Sequence, residues 1–80
     1  MRTSDITAGP GGVMTSEVGV VTGELTLRTS VDGGEVTVQV QYKGADEWYT
    51  VQGAKARLAS PEDLEAVHTI AVALLNRPSG

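Results

Sequence analysis

Apolar and polar residues alternate with period two through Leu25-Thr26-Leu27-Arg28-Thr29, and again through Val36-Thr37-Val38-Gln39-Val40-Gln41-Tyr42. Val31-Asp32-Gly33-Gly34 lies between them, and alternation around Asp-Gly is a strong hairpin signal. A four-residue loop pairs Val31 with Val36, Leu27 with Val40 and Leu25 with Tyr42. A two-residue loop pairs Thr29 with Val36, Leu27 with Val38 and Leu25 with Val40. Either register gathers the apolar residues on one face, whereas a slip by one residue would set apolar against polar.

Lys43-Gly44-Ala45-Asp46 reads as a second turn and Glu47-Trp48-Tyr49-Thr50-Val51-Gln52 as a third strand. Setting Val40 opposite Tyr49 and Val38 opposite Val51 places Tyr49 and Val51 on the apolar face. Trp48 then falls on the other face, with Arg28, Gln39, Gln41 and Thr50. Residues 53–59 alternate as well, as a short fourth strand or an extended connection. Residues 18–22 prolong the first strand at its start. Unbroken parity would turn Val18 and Val20 outward, beside Trp48. A bulge or break at Gly23, which is the expectation here, would turn them inward.

Ser60-Pro61-Glu62-Asp63 has the signature of a helix start, with a capping serine, proline at the first helical position and acidic residues near the positive end of the dipole. Asn76-Arg77-Pro78 ends it. At helical spacing Leu64, Val67, Ala71, Leu74 and Leu75 form one stripe, flanked by Ile70 and Val72. That arc is wider than one sheet face needs. A second contact, most simply another copy of the chain, would use the excess, as would cover by loops or by residues 1–17.

These signals predict an α+β fold: a three-stranded, or four-stranded, antiparallel β-meander with one C-terminal α-helix packed on one face. The expected core is Leu25, Leu27, Val36, Val38, Val40, Tyr49, Val51, Leu58, Leu64, Val67, Ala71 and Leu74. Residues 1–17 show no period and contain Ala8-Gly9-Pro10-Gly11-Gly12, so they read as a flexible arm. Residues 18–77 form the expected single domain and 78–80 a disordered tail.

Composition narrows the function classes. Eighty residues with neither cysteine nor phenylalanine must hold together through one small aliphatic core. A net charge of −4 argues against nucleic acid, which needs clustered Lys and Arg, and against anionic membrane surfaces. No apolar run is long enough to span a bilayer. The absence of cysteine and of a signal-like segment fits the cytoplasm. Abundant Gly, Ala, Val and Thr with little Lys and Asn resembles GC-rich bacterial coding.

No phosphate loop, nucleophile elbow or metal-ligand spacing is present, so no catalytic residue, metal or cofactor is expected. His68 is the sole histidine, and Glu65 lies near it on the helix. The pair is the weakest functional candidate, since a packed histidine is the commoner outcome. The candidate interaction residues are Trp48, Arg28, Gln39, Gln41, Val18 and Val20, because aromatic and Arg side chains concentrate binding energy at interfaces. The reading that remains is a small non-catalytic interaction or regulatory module, acting on a protein partner or as a homodimer. Single-stranded nucleic-acid binding on the open sheet face, or an enzyme with an inter-subunit site near His68, are the competing readings.

Overall fold

A computed structural model describes residues 1–78. The fold is α+β. Four antiparallel strands run in meander order, β1 (Arg2–Thr15), β2 (Gly19–Asp32), β3 (Glu35–Tyr42) and β4 (Tyr49–Arg57). A short 3-10 turn (Pro61–Asp63) leads into one helix, α1 (Leu64–Leu75). Pairing of Thr15 with Val51 brings β1 back to β4 and closes the sheet into a barrel.

The β2–β3 hairpin takes the four-residue register, with Val31 opposite Val36, Leu27 opposite Val40 and Leu25 opposite Tyr42. Val40 faces Tyr49 on β4, as the alternation predicts. Beyond Gln39–Thr50 the register shifts, and Thr37 next meets Lys55. Val38 therefore does not pair with Val51. Residues 51–54 bulge opposite Val38, and Gly53 at φ +80° supplies the left-handed residue. The expected third strand and the stretch after it are thus one strand, β4.

The expected arm is a strand. β1 pairs with β2 from Arg2–Thr29 to Ala8–Gly23, and again from Val13–Val21 to Thr15–Gly19. Residues 9–12 stand opposite Thr22 alone, so the strand carries a large bulge. Ile6 and Ala8 are buried before it, Val13 and Thr15 after it. The bulge moves the inward set from even to odd positions, which is why no period runs through the segment. The domain therefore begins at β1 and not at residue 18. Of the expected tail at 78–80, residues 79 and 80 lie outside the described residues.

The bulge sits on β1, and β2 keeps its parity straight through Gly23: Val21, Leu25 and Leu27 are all buried. The expected break at Gly23 is therefore absent, and Val18 and Val20 point outward, about half exposed. They cannot offer a free edge either, since Val20 already faces Met14 across the β1–β2 ladder.

Leu25, Leu27, Val36 and Val40 are sealed from solvent, with Ile6, Ala8, Val13, Val21, Val38 and Leu64 buried around them. Tyr49, Val51 and Ala71 pack half-buried against this core. Leu58 and Val67 are only half-buried, and Leu74 is 62% exposed, which removes it from the core. The helix has turned by about 50° from the expected orientation, at 3.6 residues per turn. It buries Leu64 and His68, with Ala71, Val72 and Leu75 alongside.

Two hydrogen bonds at its C-terminal end fix that rotation. The Thr7 N–H donates to Asn76 Oδ1 at 2.9 Å, and the Arg77 N–H donates to the Thr7 carbonyl at 2.7 Å. At the other end Ser60 Oγ accepts from the Glu62 N–H, as its capping position predicts.

Gly12 anchors the bulge at φ +66°. A Cβ there would lie 2.5 Å from Val20 Cγ1 and 2.6 Å from the Val21 carbonyl oxygen. Left-handed strain and the collision act together, so Gly12→Ala is expected to cost at least about 2 kcal/mol. Gly11→Ala, into open space, is expected to stay within about 0.5 kcal/mol. Urea denaturation of the two variants measures the difference.

Candidate interaction surfaces

Alternation on β2, β3 and β4 brings Arg28, Gln39, Gln41 and Trp48 to the outer face of the barrel. Arg28 stands opposite Gln39, and Thr26 opposite Gln41. Trp48 sits one residue before β4 and is half-buried. The Arg28 guanidinium lies 3.9 Å from the centre of the Trp48 ring, and also donates to Gln39 Oε1. One ring face is therefore already taken by a cation–π contact. The group is a self-satisfied polar patch with little aromatic surface left for a base or a partner.

Val18 and Val20 do not join it. Val20 and Arg28 are eight residues apart on β2, roughly 26 Å at the usual rise per residue. The two valines sit instead with Met14 around the β1–β2 turn. That turn is tied to β4 by Glu17, which sequence reasoning missed. Its carboxylate accepts from the Thr50 N–H at 2.7 Å and from Thr50 Oγ1 at 2.9 Å. The backbone N–H of Thr50 is the main cause of a pKa held below the ordinary carboxylate value.

His68 is 7% exposed, between helix and sheet. Its Nε2 lies 2.7 Å from Ser4 Oγ on β1, and its Nδ1 lies 2.8 Å from Thr29 Oγ1 on β2. A neutral imidazole presents one donor and one acceptor, and a hydroxyl can answer either. Desolvation, and secondarily the nearby charge of Arg2, push its pKa below the ordinary value. Glu65 takes no part. Its exposed carboxylate pairs with Arg2 at 3.8 Å, on the surface.

No carboxylate orients the His68 ring, because Thr29 holds the nitrogen that one would occupy. A hollow of about 130 Å³ opens elsewhere, lined by Gly9, Gly11, Gly12, Leu74, Leu75 and Arg77. His68 does not line it. The arrangement joins helix to sheet through buried polar groups, and neither Ser4 nor Thr29 was legible as its partner. Among the described residues no three His, Cys, Asp or Glu side chains come together to hold a metal, and no helix is long and apolar enough to cross a membrane.

The third surface is the outward arc of α1. Ile70 is 60% and Leu74 62% exposed, with Ala66 and Ala73 exposed beside them and Val67 half-buried. The polar residues Glu65 and Thr69 are confined to the other flank. The excess apolar width expected of the helix is therefore real and faces outward. No family model, curated protein or solved structure matches the chain.

Two outcomes test these assignments. Arg28→Ala is expected to destabilise the fold by about 0.5–1 kcal/mol and to open the sole tryptophan to iodide quenching. For His68 the folded pKa lies below the unfolded one, so the unfolded chain binds more protons in that window. Stability is full above the ordinary histidine value of 6.5. It falls as pH drops through that value and levels off below the folded pKa. Thermal midpoints of the wild type between pH 8 and pH 5, roughly bracketing this range, should decline, and those of His68→Gln should decline less.

Proposed function

We propose that this chain is a small, cytoplasmic, non-catalytic interaction module that docks through the apolar arc of α1, on a protein partner or on itself. The observation that supports the reading is the exposure of Ile70 and Leu74, two large aliphatic side chains one turn apart on a twelve-residue helix. Such residues are ordinary singly, but a contiguous apolar stripe on a domain this small is a liability unless something covers it. The outer sheet face is the weaker candidate, because Arg28 already occupies one face of Trp48 and bonds Gln39. A catalytic reading finds no support in His68, whose two nitrogens bond hydroxyls between helix and sheet.

A photo-crosslinking residue placed at Leu74, at Gln41 or at Thr69 in cells producing the chain tests the proposal. Adducts are expected at position 74 and not at positions 41 and 69. Adducts at 41 alone would move the interface to the sheet. No adduct at any position would overturn the reading.

A further inference from the structure

We infer that the hollow beside the β1 bulge binds the carboxylate of a short aliphatic acid, free or at the end of a peptide chain. Gly9, Gly11 and Gly12 form one wall, Leu74 and Leu75 from the last turn of α1 a second, and Arg77 completes the lining. A glycine-rich loop cradles an anion when its amides are available and a cation faces them. No lysine follows this loop closely in the sequence. The fold brings an arginine to it from the far end of the chain instead.

The amides are in excess. β2 sets Thr22 alone opposite residues 9–12. The ladder therefore offers one carbonyl for the three N–H groups of Gly9, Gly11 and Gly12. Among the described residues, no backbone carbonyl of α1 or of residues 76–78 takes them instead. A Cβ on Gly11 would meet nothing within 4 Å, so a ligand can approach the backbone closely there.

Arg77 is positioned and only partly used. Its backbone N–H donates to the Thr7 carbonyl at 2.7 Å, and its Nε donates to the Leu74 carbonyl at 3.3 Å. Among the described residues no carboxylate pairs with the guanidinium. Its terminal Nη groups form the fork that matches a carboxylate. The C-terminus of α1 opposes an anion with about half a negative charge, which the full charge of Arg77 outweighs.

Size and polarity choose the ligand. The hollow measures about 130 Å³. A cavity of roughly 150 Å³ takes benzene, so an acid of about six non-hydrogen atoms fits. Two leucines favour an aliphatic body, which inorganic phosphate lacks, and one guanidinium suits a single negative charge. The site is open and Arg77 is exposed, so binding is weak and screened by salt. The hollow shares Leu74 with the docking arc. A carboxylate seated there leaves Ile70 and Val67 uncovered, so neither role requires the other.

Titration of the isotope-labelled full chain with isobutyrate tests the site by amide chemical shifts. The N–H protons of Gly9, Gly11 and Gly12 are expected to move downfield and saturate in the millimolar range. Isobutyramide, the neutral isostere, and inorganic phosphate should each bind at least tenfold more weakly. Arg77→Gln keeps the backbone bond to Thr7. It should weaken isobutyrate at least tenfold with circular dichroism unchanged, and Arg77→Lys should recover part of the loss.

A peptide ending in valine with a free carboxylate separates the two sources. Tighter binding than isobutyrate assigns the site to chain ends, and equal or weaker binding assigns it to free acids. Absence of saturable shifts at the three glycines, equal binding of isobutyramide, or indifference to Arg77→Gln would each overturn the site. Phosphate binding as well as isobutyrate would overturn the choice of a carboxylate.

Discussion

Closure of the β1–β4 seam is the constraint on which this fold depends. Four strands make a short sheet, and a sheet with two bare edges cannot enclose an aliphatic core. Here one residue pair, Thr15 with Val51, joins the edges. The Ser16 N–H reinforces it by donating to the Thr50 carbonyl at 2.9 Å, and the Glu17 carboxylate takes the Thr50 N–H and hydroxyl. A turn residue that reads as plain acidic surface thus satisfies edge groups that would otherwise be bare. Farther along β1, Asn76 and Arg77 do the same at Thr7, so the helix is secured by the strand it covers.

Those two attachments decide which side of α1 faces the core. The helix is broadly apolar, and side-chain hydrophobicity alone favours Val67 and Leu74 over His68 for the inside. The structure makes the opposite choice because Ser4 and Thr29 stand ready to bond both nitrogens of the ring. A buried polar group so satisfied costs little, and rotating the helix back would leave two hydroxyls unanswered beneath an aliphatic surface. The outward turn of Ile70 and Leu74 is the other side of that exchange.

The sequence was legible where one period ran uninterrupted. The β2–β3 hairpin, its four-residue register, the Val40–Tyr49 pairing and the helix start all follow from local spacing and turn chemistry. It was illegible where a strand changes phase. Residues 9–12 and 51–54 break the alternation of β1 and β4, so β1 resembled an unstructured arm and β4 two separate pieces. The outer-face group at Trp48 could be placed by parity, but not its internal pairing with Arg28. The partners of His68 lie 64 and 39 residues away, Ser4 on the strand whose period the bulge hides and Thr29 on the inward face of β2. No local pattern encodes such a meeting.

The bulge in β1 has a bearing on how this chain can vary in length. Ile6 and Val13 both look inward although they are seven positions apart, and only the looped-out residues 9–12 reconcile them. Pairing with β2 sets the phase on each side of the loop independently. A residue lost or gained within 9–11 therefore alters only the loop, whereas the same change among the paired residues on either side would send side chains to the wrong surface. The segment that breaks the alternation is thus the one place in β1 where length is free to drift.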